Sequence, residues 1–120
     1  MLIAIESFLT LAWVRVSFRF APQRMLRAAI ADRGEGRDAD PRIVDIFASV
    51  AARTPVGHTC MHRALALQRI LARRGTRARL CLGLAEKPRM LPGHAWLEVS
   101  GRIINDAPEN VARYARLQCR

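Results

Sequence analysis

Between Thr59 and Leu84 the apolar pattern of the chain changes period, and this limits the fold more than any other feature. From Thr59 to Gly75 (TCMHRALALQRILARRG), Cys60, Ala64, Leu67 and Leu71 recur at spacings of four, three and four, the stripe of a helix. Thr59 suits the N-cap, where its hydroxyl can accept an N–H left unpaired at a helix start. Gly75 suits the position just past the end, after a last turn rich in arginine, as the helix dipole prefers. From Arg77 to Leu84 the pattern alternates instead, with Ala78, Leu80, Leu82 and Leu84 on one face of a strand.

The rest of the chain divides around that switch. Leu2 to about Phe20 reads as a helix with large apolar residues on most sides (Phe8, Leu9, Leu11, Trp13, Val14, Phe18), which needs cover on more than one side. Pro22 can open a second helix, Gln23 to Asp32, and the polar stretch 34–40 is the one obvious hinge. Asp40 caps a third helix with Pro41 in its first turn, and Ile43, Ile46, Phe47 and Val50 form its apolar face. Thr54 ends it, because a residue before proline disfavours helix. Beyond the strand, Ala85 to Gly93 carries two prolines and reads as a loop. Residues 94–99 (HAWLEV) and 102–106 (RIIND) flank a Ser-Gly turn as a β-hairpin, and the tail, Pro108 to Arg120, can form a last short helix. Helices first and a small antiparallel sheet after them make an α+β fold. The expected organisation is a single domain over 1–120, with an N-terminal helical segment (1–40) and a core (41–120).

The net charge is +10, and nineteen of the twenty basic residues are arginine, Lys87 being the exception. They are scattered from Arg15 to Arg120 and aromatics make up only 6%, a poor match to a nucleic-acid binder, which concentrates charge beside stacking rings. Three widely spaced cysteines without a C-x-x-C pair make no disulfide framework, so a reducing cytoplasm is the expectation. The apolar N-terminus lacks the basic start and small-residue cleavage site of a secretory signal. Glu6, Arg15 and Arg19 break it before a spanning length, so stable membrane insertion is not expected.

Three residues carry candidate chemistry. Cys60 falls on the first turn of its helix, where the positive dipole end favours a thiolate, the form that attacks carbonyl carbons. His94 and Asp106 flank the hairpin, and its turn decides whether they meet. A two-residue loop pairs Val99 with Arg102 and sends the two side chains to opposite faces. A three-residue loop with Gly101 as the bulge shifts the register by one, sets Glu98 opposite Arg102, and puts His94 directly across from Asp106. That second register pairs opposite charges and apolar residues, and it is the one expected. A carboxylate can then orient the imidazole, and the imidazole can activate the thiol, with N–H groups around Cys60 as oxyanion donors. This is the helix-plus-sheet layout of papain-like and transglutaminase-like enzymes.

At these residues the chain resembles the lasso peptide leader peptidases, transglutaminase-like proteins that remove the leader from a ribosomal precursor before its core is cyclised. The matching stretches are CMHRALALQRILARRG (60–75), HAWLEV (94–99) and GRIIND (101–106). The resemblance implies Cys60 as nucleophile, His94 as base and Asp106 as orienting acid, with no metal or cofactor. It implies a cut just before the core peptide, usually two residues after a threonine of the leader. Some members carry a fused leader-recognition module for which this chain has no residues to spare, so the split form is expected. Its partners are then the precursor leader peptide, a separate leader-recognition protein and an ATP-using lasso cyclase. Two other readings fit the same residues. One is a non-catalytic scaffold of a peptide-maturation complex, with Cys60 a buried core cysteine. The other is a zinc-dependent hydrolase using His58, Cys60, His62 and His94. Cys81 and Cys119 read as bystanders, and Trp96 as wall or core.

Overall fold

A computed structural model describes residues 2–31, 37–54, 59–85 and 93–118. Part of the expected hinge, most of the expected loop after Ala85, His58 and Cys119 lie outside them. Four helices come first: α1 (Leu2–Phe20), α2 (Pro22–Ala31), α3 (Pro41–Arg53) and α4 (Cys60–Ala72). Then follow β1 (Arg79–Ala85), β2 (Gly93–Val99), β3 (Arg102–Ile103), the single turn α5 (Pro108–Val111) and β4 (Tyr114–Gln118). The sheet is antiparallel, in the order β3-β2-β1-β4. The fold is α+β, as the change of period requires.

Local signals set the helix boundaries. The Asp40 carboxylate accepts the Arg42 N–H at 3.0 Å with Pro41 in the first turn, and Thr54 leaves α3 in an extended conformation (φ −76°, ψ 120°). At the end of α4, Gly75 takes φ +83° while Thr76 N–H reaches Leu71 C=O and Gly75 N–H reaches Ala72 C=O. Those two bonds are a Schellman ending, and they satisfy carbonyls that the helix leaves open. Packing does the rest. Leu67, Ile70 and Leu71 of α4 are fully buried between the other helices and the sheet face made by Leu80, Ala95, Leu97 and Val99. Buried Gln68 donates to Ala29 C=O (3.0 Å) and Ala78 C=O (2.9 Å), tying α2 to the approach of β1 through α4. Arg73 and Arg74 both pair with Glu6, at 3.0 and 2.6 Å, which anchors α1 on the end of α4.

α1 is apolar nearly all round, as read from sequence, but only half of it is covered. Leu11 and Val14 enter the core, whereas Leu2, Ile5, Leu9, Trp13, Val16 and Phe20 stay exposed on the outer side. Arg69 covers part of Trp13, its guanidinium 4.2 Å from the ring centre.

Four expectations are corrected in the sheet. The tail is not helical throughout: after the single turn of α5 it becomes β4, an edge strand on β1. The alternating face of β1 is not buried along its length, because Leu84 is exposed while Cys81 and Gly83 on the opposite face are buried. That opposite face forms a second small core from Cys81, Trp96, Val111 and Tyr114, made possible by β4. Cys81 is disulfide-bonded rather than a reduced bystander, and Cys60 is the free cysteine among the described residues.

The fourth correction is the hairpin register. Val99 pairs with Arg102 and Glu98 with Ile103, the two-residue loop rather than the three-residue one. Ser100 (φ 52°) and Gly101 (φ 78°) both adopt left-handed conformations, as in a type I′ turn, whose twist matches that of the flanking strands. The expected attraction between Glu98 and Arg102 was too small to decide, since an exposed ion pair contributes about 0–1 kcal/mol. Glu98 is instead buried, accepting from Trp96 Nε1 at 2.9 Å and pairing with Arg116 of β4 at 2.9 Å.

Candidate active site

Cys60 is the first residue of α4, and its position is fixed by the cap before it. Thr59 is extended, its hydroxyl accepts the His62 N–H (3.3 Å), and its own N–H donates to His62 Nδ1 (3.1 Å). This is a capping box with histidine in the place usually held by Glu or Gln. His62 also meets Phe18 edge-on, ring centres 5.4 Å apart, which joins the cap to α1. His62 Nδ1 is thus engaged in the cap, and His58, another member of the cluster in the zinc reading, lies outside the described residues. No group of three His, Cys, Asp or Glu suited to hold a metal occurs among the described residues.

His94 and Asp106 do meet, with His94 Nε2 hydrogen-bonded to Asp106 Oδ2, even though the register predicts otherwise. The contact arises because the ladder stops. Ile104 N–H still reaches Leu97 C=O at 3.1 Å, but Leu97 N–H turns to the side chain of Asn105, at 2.8 Å from Oδ1. An amide oxygen thus replaces the next backbone carbonyl, and the chain bends away at Asn105 and Asp106. Freed from strand geometry, the Asp106 carboxylate swings to the imidazole instead of pointing to the far face. Two rings hold that imidazole: Tyr114, centres 4.8 Å apart, and Trp96, at 5.8 Å, both nearly parallel to it. Gly83 makes room for the pair, since a Cβ there would lie 2.7 Å from Tyr114 Cβ and 3.1 Å from Trp96 Cζ3.

Asp106 accepts further bonds from Ala107 N–H (2.8 Å to Oδ1) and from Asn110 Nδ2 (3.1 Å to each oxygen). Burial pushes its carboxyl up, but the bonds from His94, Asn110 and Ala107 outweigh it and hold the group below the usual carboxylate range. Asp106 is therefore an anion at neutral pH. With Nε2 turned to that anion, the imidazole's second nitrogen is left over: His94 Nδ1 is buried without a hydrogen-bond partner among the described residues. A buried polar atom in that state costs about 1–3 kcal/mol, so it calls for an explanation.

Cys60, His94 and Asp106 line one cavity of about 300 Å³. Phe47 and Ala51 of α3 supply an apolar wall, Arg63 sits at α4, and Asn105 and Asn110 complete the polar side. The three predicted residues thus share one site, at the junction of α3, α4 and the open end of β2. Asn105, Asn110 and Tyr114 escaped the sequence reading. An Asn-Asp pair after two isoleucines is a strand-breaking signal that could have exposed Asn105. Nothing local points to Tyr114, which arrives from an unexpected strand.

A thiol at a helix start beside an imidazole held by a carboxylate is an arrangement that can support nucleophilic chemistry. The residues matching the transglutaminase-like superfamily run from 5 to 119, nearly the whole chain. The chain belongs to this superfamily. Over 49 residues this transglutaminase-like chain is 43% identical to the microcin J25-processing protein McjB of Escherichia coli. The stretch is 41% of the chain and 23% of McjB, so the chain spans well under half of that relative. No solved structure matches the chain. Among the described residues no helix is long and apolar enough to cross a membrane.

Proposed function

We propose that this transglutaminase-like protein is a cysteine peptidase that removes the leader from a lasso peptide precursor. The reading rests chiefly on one observation: Cys60, His94 and Asp106 line one cavity, with His94 held by Asp106 through Nε2. The partial likeness to a microcin-processing protein supports a ribosomal peptide precursor as substrate.

In this mechanism Asp106 holds the proton on His94 Nε2, which leaves Nδ1 with a free lone pair as the base. Nδ1 takes the Cys60 proton as Sγ attacks the carbonyl carbon of the bond joining leader and core. The oxyanion is met by unpaired N–H groups at the start of α4. When the C–N bond breaks, His94 returns the proton to the leaving amine, which becomes the new N-terminus of the core. The leader remains as a thioester on Cys60. Water, deprotonated by His94, attacks that thioester and releases the leader carboxylate. The bare outer stripe of α1 is the seat we assign to a separate leader-recognition protein, with a lasso cyclase acting next on the freed core.

The test is cleavage of a lasso precursor, with a leader-binding partner encoded beside it, followed by mass spectrometry of both fragments. Wild type should yield leader and core, and Cys60→Ala neither, with unchanged melting. Cleavage by Cys60→Ala would overturn the peptidase and leave a scaffold.

A further inference from the structure

We propose that Asn110 is a positioning residue of this site, a clamp on Asp106 that keeps the carboxylate aligned with the His94 imidazole. The inference rests on the peptidase reading and adds a residue to it. Its basis is geometric. Asn110 Nδ2 lies 3.1 Å from Oδ1 and 3.1 Å from Oδ2 of Asp106, midway between the two oxygens. A donor so placed resists rotation of the carboxylate about its last side-chain bond, a torsion that is otherwise broad and soft. His94 needs that resistance, because its Nε2 bonds one oxygen only, Oδ2.

The surrounding backbone cannot supply it. Asp106 follows a two-residue strand and a bend, so no ladder holds it, and its one backbone donor is Ala107 N–H on Oδ1. Asp106 lies just before α5, and the single turn of α5 brings Asn110, four residues on, back over the carboxylate. Asn110 also lines the cavity beside Asp106. The amide is uncharged and offers donors on the side that faces the anion, so it orients Asp106 without competing with His94 for the proton. Asp106 acts on His94, and Asn110 acts through Asp106.

The clamp can be measured without knowing the precursor, using iodoacetamide on the full-length protein and mass spectrometry to score alkylation at Cys60. If His94 activates the thiol, wild-type Cys60 reacts much faster at neutral pH than Cys60 in His94→Ala. Asn110→Ala should then slow alkylation by about ten-fold, the factor carried by one charge-assisted hydrogen bond, with melting little changed. Asn110→Asp separates clamp from filler: it keeps the shape but at neutral pH replaces the donors with a second carboxylate. It should fall at least as far as Asn110→Ala. Wild-type reactivity in Asn110→Asp, or a loss in both variants that merely follows lowered melting, would overturn the clamp. Equal rates for wild type and His94→Ala would instead overturn the peptidase reading beneath it.

Discussion

The two halves of the site are built by opposite means. Cys60 stands on α4, a helix whose cap, stripe and ending follow local rules: Thr59 and His62 close the start, and Gly75 with its Schellman bonds closes the end. Asp106 stands on irregular chain after a strand of two residues. Its position depends on Asn105 ending the ladder, on Asn110 returning from α5, and on His94 being wedged by Tyr114 and Trp96. The Cys60 side is therefore redundant, with several interactions each worth about 1 kcal/mol holding one helix. The acid side is a chain of single contacts. Damage to the first should show as lost stability, and damage to the second as lost activity.

The sharpest break is at Asp106 itself. Asp106→Asn should keep the fold and lower kcat for precursor cleavage by about 10²–10⁴, because the imidazole loses its tautomer and orientation. Circular dichroism alongside the rate checks that the loss is chemical. Gly83→Ala comes next. Its Cβ would force Tyr114 and Trp96 off their positions against His94, so kcat should drop and melting should fall by about 1–3 kcal/mol of overpacking. Denaturant unfolding reads the second effect. Asn105→Ala removes the bond to Leu97 N–H and leaves that buried strand without a partner there, at a cost of about 1–3 kcal/mol. Hydrogen exchange at Leu97 should rise with it, and activity should fall more than stability does.

Smaller effects test the other half. Thr59→Ala should cost about 1 kcal/mol by thermal melting while the remaining folded protein cleaves nearly normally. A large loss of activity with intact melting would erase the contrast between the two sides. Acid provides a separate check on both. Burial raises the Asp106 carboxyl, but its hydrogen bonds lower it further, and Glu6 is lowered mainly by the bond from Arg74. Both groups are depressed in the fold, so their stabilisation is complete above the ordinary carboxylate range, near pH 4, and is lost as pH falls through their lower native values. A melting series from pH 7 down to pH 2 should show that loss in wild type, and Glu6→Gln with Asp106→Asn should flatten it.

What could be read without coordinates was whatever depends on neighbours along the chain. The helix from Thr59, its cysteine on the first turn, the Asp40 cap, the stop at Thr54 and the switch to strand period all arise within a few residues. They appear in the structure as expected. The candidate residues were legible too, because a thiol, an imidazole and a carboxylate stand out by type. Their meeting was expected for the wrong reason. A register shift was to join His94 and Asp106, whereas the ladder kept the other register and ended early. Cross-strand charge between Glu98 and Arg102 is too weak to set the register, and the pull of Trp96 and Arg116 on Glu98 has no local signal because β4 lies far along the chain. Local sequence thus determined which elements form and where the thiol stands. Only the tertiary structure decided how the acid reaches the base, since that contact needs three distant segments to converge and no nearest-neighbour preference encodes their convergence.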